Sequence, residues 1–327
     1  MRCPPLPSLA LPSLVVTMLA AAGFAAAADG RTPIWQATTI TEPGAYSLAH
    51  DLAGSGTLIE IAASGVDLDL AGHTLTGDGT NVAIHADGFD DLRIHDGSIA
   101  LVTAGIEVRA GGGIHIERVV VRDAGDWGFR VDQCTAAVVR DGVVAPGNGR
   151  YGIYVYDSTL PVITSGRFDG STSAAVQMAS GSAARFADNE MACPGCINGI
   201  IIQADVVALS GNGVTGPVFA MEVPGRSRVE ANLVEATSRG ITTQPTDADD
   251  ITFEDNIVRN GSYALEVRGL RNEVIGNLTA SNVFGLVFSV GSANGLIRRN
   301  VSRNNTFDLS GAALCTTAGD NFVPNLY

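Results

Sequence analysis

The chain contains no lysine; all 20 of its basic residues are arginine, set against 34 Asp and Glu. A basic surplus is the usual footprint of a nucleic-acid-binding protein. The acidic balance here argues for no nucleic acid as partner. Aromatic residues are few, at 6%. Beyond residue 28 no apolar run reaches the ~20 residues that cross a bilayer as a helix, so no membrane span is expected. Cysteine is scarce, five in 327 residues, while glycine is abundant at 39.

Residues 1–28 read as a secretory signal. Arg2 gives a positive start, Leu9 to Phe24 an apolar stretch, and Ala26, Ala27 and Ala28 a small-residue cleavage site before Asp29. The expected location is therefore secreted or periplasmic. Removing that segment takes Arg2 and Cys3 and leaves a formal charge of −15. Four cysteines remain. Cys193 and Cys196 form Cys-Pro-Gly-Cys. Without a strand–helix–strand context this spacing predicts a loop disulfide in an oxidising compartment, not a redox centre. Cys134 and Cys315 lie about eight coils apart, beyond disulfide reach.

What the chain does have is a repeat. From Ala104 to Asp157 each unit begins with Gly and continues as a short alternating strand. Ile106 and Val108 alternate with Glu107 and Arg109, Phe129 and Val131 with Arg130 and Asp132, and Ile153 and Val155 with Tyr154 and Tyr156. Alternate strand residues face opposite ways. The units are 23 and 24 residues apart, too short for strand–helix–strand and right for one solenoid coil. The first inward residues run Ile84, Ile106, Phe129, Ile153, Val176, Ile200, Met221, Ile241, Leu265, Leu286 and Leu309. A second apolar pulse includes Ile94, Ile116, Val139 and Ile163. A third includes Ile99, Val121, Val143, Leu233, Ile257, Leu278 and Val301. Three short strands per coil predict an all-β fold: a single-stranded right-handed parallel β-helix of about 11 coils. Residues 29–56 break the pattern and are expected to form an N-terminal cap, with the β-helix domain at 57–327. Asn189, Asn212, Asn232, Asn256, Asn277 and Asn300 recur at one place in the coil, which predicts a structural ladder of stacked amides.

The strand starts xGI-x-V, the turns GN-x-V and N-I-V-x-N, and the opening segment PGAYSLAHDL followed by GVDLDLAGHTLTG carry a family resemblance. Over residues 40–327 the chain resembles the pectin-lyase-like right-handed parallel β-helix superfamily, closest to its secreted bacterial carbohydrate-binding and sugar-hydrolase repeat proteins. The resemblance implies a polysaccharide as substrate or ligand. It implies no single chemistry, because such proteins include lyases, hydrolases, epimerases and binders. The chain lacks Asp-Pro-His, Trp-x-Asp-His, and Asn-Thr-Asp with Ser-His-Gly, so no catalytic residue carries over.

The site has to come from the outward rows. One runs His85, Glu107, Arg130, Tyr154, Gln177, Ile201, Glu222, Thr242, Glu266 and Val287; the other begins Asp87, Arg109, Asp132 and Tyr156. Row neighbours lie ~4.8 Å apart, so His85 to Tyr156 make one patch. Arg109 and Arg130 suit a uronate carboxylate. A Tyr154 acidified by neighbouring Arg would be the base, with Tyr156 or His85 near the leaving oxygen. Glu107, Asp132 and Gln177 complete the binding face, with Trp127 and Tyr151 as ring platforms at the adjoining turn. All five His precede Glu117 but match no metal-ligand spacing, so no metal site is expected. The acidic loop holding Asp249 and Asp250 has the carboxylates for Ca²⁺. The leading expectation is lyase-type β-elimination on an acidic polysaccharide. The alternatives are a hydrolase with paired carboxylates, Glu107 with Asp132 or Glu222 with Glu266, and a non-catalytic binding or scaffold protein.

Overall fold

A computed structural model describes residues 30–145, 149–169, 171–244, 248–289, 292–311, 315–317 and 320–322. The expected signal segment lies outside them. All secondary structure among the described residues is β-strand, and every strand pairing is parallel. Each strand bonds to its equivalents one coil before and one coil after. Such parallel crossovers coil right-handed because a twisted strand packs back on its sheet only that way. The result is a right-handed parallel β-helix of about 11 turns. Residues 30–56 run in the same ladders: Thr38–Ile40 pairs with Ile59–Ile61, and Gly44–Leu48 with Val66–Asp69.

The core is one apolar column per strand. Ile84, Ile106, Phe129, Ile153, Val176 and Ile200 are each at most 1% exposed and stack in direct register. The residue before each is Gly or Ala for a steric reason. A Cβ on Gly105 would lie 2.4 Å from the Gly128 carbonyl oxygen, and one on Gly128 would lie 2.7 Å from that of Gly152. The bend brings successive coils too close there for larger side chains.

The Asn column is a continuous ladder. Asn189 Nδ2 donates to Asn212 Oδ1 at 3.0 Å, and the same bond repeats through Asn232, Asn256, Asn277 and Asn300 to Asn321. Each Oδ1 also accepts from the backbone N–H of the preceding Asn. Asn189, Asn212, Asn232, Asn256, Asn277 and Asn300 are at most 3% exposed, so the amides satisfy groups that burial would otherwise strand. Asn282 and Asn305 form a second rung nearby, at 3.0 Å. Cys193 and Cys196 form a disulfide with Cα atoms 5.5 Å apart, and Cys134 and Cys315 are free.

The third strands correct one expectation. Val143, Leu233, Ile257, Leu278 and Val301 do not enter the core. Leu233 is 42% and Ile257 40% exposed, and the inward residues are their neighbours Val144, Val234, Val258, Thr279 and Ser302. A shift of one residue moves a strand's whole side-chain set to the other face. Thr279 and Ser302 tolerate burial because their hydroxyls bond each other at 2.8 Å, and Ser302 Oγ also donates to the Asp308 carbonyl at 2.7 Å.

Candidate functional site

The outward rows of the first strands stand in the expected register. Glu60, His85, Glu107, Arg130, Tyr154, Gln177, Ile201, Glu222, Thr242 and Glu266 pair coil to coil. Asp87, Arg109, Asp132 and Tyr156 pair likewise.

Arg130 is the hub. Its guanidinium lies 3.2 Å from Glu107 Oε1 and 2.6 Å from Asp132 Oδ2, and it covers the Trp127 ring at 4.7 Å. Both carboxylates are nearly buried, with side chains 11% and 4% exposed. Arg130 is therefore committed to the protein. Arg109 is different. Its side chain is 41% exposed, its Nε stands 3.6 Å from Asp132 Oδ2, and it donates no hydrogen bond among the described residues. The residue with free donors for a ligand carboxylate is Arg109.

Three rings gather beside this cluster. Tyr154 lies 5.2 Å from Tyr151 and 6.4 Å from Trp127 between ring centroids. Three buried polar atoms here lack a hydrogen-bond partner among the described residues: Trp127 Nε1, Arg130 Nε and Asp132 Oδ1. Native proteins leave few such atoms, and each calls for an explanation. The acidified phenol expected at Tyr154 is not found. Burial pushes its pKa up, Tyr151 and Asp132 push the same way, and Arg130 opposes them without prevailing. Arg130 fails because Glu107 and Asp132 already neutralise it. Tyr154 thus stays a protonated hydroxyl, a donor rather than a base.

The remaining site residues are less concentrated. His85 sits three coils from Tyr154, about 14 Å along the axis, with Nδ1 2.8 Å from Glu60 Oε1. It cannot share a sugar ring with Tyr154. Tyr156 is 43% exposed, and Gln177 follows Tyr154 in the row.

Two arrangements were not legible in the sequence, although Glu222 and Glu266 in the first of them are one of its candidate carboxylate pairs. The first is a cleft of about 190 Å³ lined by Asn198, Phe219, Glu222, Arg239, Thr242, Thr243 and Arg268. Arg239 is held between the rings of Phe219 (5.5 Å) and Tyr263 (5.8 Å). Beneath lies Glu266, whose Oε1 accepts from Arg268 at 2.8 Å and Ser289 at 2.9 Å. Burial raises its pKa, but the bonds from Arg268 and Ser289 and the charges of Arg268 and Arg239 outweigh it, so the carboxyl is held below its ordinary value. Glu222 makes no hydrogen bond or ion pair among the described residues. The second feature is on the second-strand face. His95 is 4% exposed, with Nε2 2.8 Å from Asp67 and Nδ1 2.7 Å from Asp96. Asp69, His95 and Asp96 are close enough to ligate one ion, but Arg118 already forks onto Asp96 and Arg31 lies beside Asp67 and Asp69. In the acidic loop, both oxygens of Asp250 accept from Arg271 at 2.7 Å.

No family model and no curated protein matches this chain. Among solved structures it is similar to a variant of the periplasmic alginate epimerase AlgG, at 12% identity and TM-score 0.49, covering 86% of this chain and 78% of that one. It is also similar to the A-module of a mannuronan C-5 epimerase from Azotobacter vinelandii, at 16% and 0.35, covering 90% and 89%. A third is the catalytic domain of a GH87 α-1,3-glucanase, at 11% and 0.36, covering 79% and 63%. At these scores no chemistry passes from them to this chain.

Proposed function

We propose that this protein binds an acidic, uronate-containing polysaccharide on the first-strand face around Arg109, Arg130 and Tyr154 and cleaves it by β-elimination. The observation that carries the reading is the set of unused groups at one place. Among the described residues Arg109 donates no hydrogen bond, and Tyr154 keeps its proton.

The roles follow from those states. Arg109 takes the uronate carboxylate in bidentate fashion and stabilises the charge that develops as the α-proton leaves. Asp132, enclosed beneath the face, positions Arg109 and Arg130, and the α-proton passes to solvent water. Tyr154 donates its hydroxyl proton to the glycosidic oxygen as the C–O bond breaks and the C=C bond forms. Solvent then returns a proton to Tyr154. Arg130 holds Asp132 in place. Trp127 offers the sugars what ring surface Arg130 leaves open, whereas Tyr151, 9% exposed, packs behind Tyr154 and is no platform. Glu107 fixes Arg130 from the other side, and Gln177 lies next along the chain's path.

The test is the ultraviolet absorbance of the product. Elimination leaves a conjugated double bond, hydrolysis a reducing end without it, and a binder neither. Absorbance should grow with a uronate polymer and vanish in Arg109→Ala. Unchanged polymer across a broad panel, with binding to one member, would retire the catalytic reading.

A second reading rests on the cleft. Glu266 is held ionised, as a general base must be, and Glu222 stands two coils away, about 10 Å in backbone. The carboxylates of an inverting glycosidase are ~6.5–9.5 Å apart. Reducing ends that depend on Glu222 and Glu266 would select this centre.

A further inference from the structure

The outward row of the third strands turns apolar in the C-terminal coils. Gly213, Leu233, Ile257, Leu278 and Val301 pair coil to coil, and Val301 bridges to Phe322. Leu233, Ile257 and Phe322 are 42%, 40% and 58% exposed. The stripe is about 24 Å long at ~4.8 Å per coil. Earlier coils place Arg167 and Glu190 in this row. Solvent-facing strands normally reserve the outward side for polar groups. Here Thr279 and Ser302 are buried and Leu278 and Val301 face out. That inversion places apolar groups outward, with Leu278 and Val301 half-buried between the exposed Ile257 and Phe322, and a contiguous outward apolar row marks a contact.

The geometry points to a second copy of this chain as the occupant, packed with its solenoid axis antiparallel about a two-fold axis between Ile257 and Leu278. Such an axis lies in the contact plane and is perpendicular to the solenoid, so it sets each coil opposite its mirror position in the row. Ile257 then meets Leu278, Leu233 meets Val301, and Phe322 meets Gly213. The last match is one of shape, since a Cβ on Gly213 would touch nothing within 4 Å. The dent and the protruding ring occupy opposite ends of one row. The flanking row matches in charge. It runs Thr215, Glu235, Arg259, Ala280 and Arg303, so the same axis sets Glu235 against Arg303, twice. Arg303 is exposed and makes no ion pair among the described residues. Glu235 pairs with Arg259 within the chain and has a second oxygen for the partner. An isologous contact must be self-complementary, and three apolar or steric matches and one charge match satisfy that condition together. A parallel arrangement about an axis along the row would instead set each residue against its own copy, Phe322 on Phe322, and carry Glu235 away from Arg303. The strip is narrow compared with the ~800 Å² per partner of a standard interface, so the pair is concentration-dependent.

Sedimentation velocity on the purified mature protein tests this. The weight-average mass should rise toward twice the chain mass with concentration. Leu278→Arg should remain monomeric across the same range with an unchanged melting temperature, because its side chain is outside the core. Glu235→Arg and Arg303→Glu should each weaken self-association by about tenfold. An equimolar mixture of the two should recover it, since the heterodimer restores both charge contacts. A parent that stays monomeric at every concentration overturns the proposal. So does a dimer indifferent to Leu278→Arg, or a mixture no tighter than either variant alone.

Discussion

Arg130 and Asp132 lie two residues apart on one strand and are joined by a 2.6 Å hydrogen bond between guanidinium and carboxylate. Asp132 is 3% exposed, so the bond holds a buried charge in balance. Arg130→Ala should therefore cost about 3 kcal/mol of stability, because it leaves Glu107 without its cation and Asp132 with only Arg109 at 3.6 Å. Arg109→Ala should cost under ~0.5 kcal/mol and still abolish turnover of a uronate polymer. Urea titration of both variants beside the absorbance assay separates the two arginines. Equal losses of stability would remove the distinction between hub and clamp.

The pH dependence follows from the direction of the Tyr154 shift. Its pKa lies above the ordinary phenol value in the folded protein. The donor form persists through neutral and mildly alkaline pH, so kcat should hold there and fall only as pH rises through that elevated value. Tyr154→Phe should abolish turnover and leave binding. The linkage has the same sign: the raised pKa contributes stability below the unfolded value of ~10 that is lost at higher pH. A rate that climbs steadily with pH toward the phenol range would return Tyr154 to the role of base.

Acid acts in the opposite direction through Glu266. Its pKa is lowered in the folded state, so its stabilisation is complete above the unfolded value near ~4.3 and is lost as pH falls below it. Glu266→Gln should make the acid limb of the stability profile shallower, leaving the part carried by Asp67, Asp96 and Glu117, whose carboxyls are also held low. Melting temperatures from pH 7 downward check this, and an unchanged limb would place the titrating groups elsewhere.

The one-residue shift in the third strands gives a paired test. Val258→Asp buries an unpaired charge and should cost about 3 kcal/mol or more. Ile257→Asp, its neighbour, should cost little. On the first strands, Val131→Asp should resemble the former and Gln177→Asp the latter. Chemical denaturation of the four variants decides both registers.

These contrasts show where the sequence was legible. In Phe129-Arg130-Val131-Asp132 apolar and polar residues alternate strictly, so only one register buries the apolar side, and the structure adopts it. In Leu233-Val234 and Ile257-Val258 both neighbours are apolar, and alternation is silent. In Leu278-Thr279 and Val301-Ser302 it points the wrong way, because buried hydroxyls pair through Ser302 and Asp308, residues no local pattern connects. The site was half legible for a similar reason. Row membership follows from period alone. Which carboxylate Arg130 takes, and whether any charge is left to acidify Tyr154, depends on distances that differ by about 1 Å.

The asparagine ladder has a direction: from Asn189 to Asn300 each side-chain amide donates to the Oδ1 of the next Asn toward the C-terminus while also donating to a backbone carbonyl of the preceding coil, and the first Oδ1 accepts from the Gly166 backbone N–H. Identical rungs make the coil between them an interchangeable module. Excising one coil, such as residues 233–256, would bring Asn232 onto Asn277 with the same donor, acceptor and handedness as before. The length of this protein is thus not fixed by its stapling, and duplication or loss of a whole coil leaves every remaining rung with its complement of bonds.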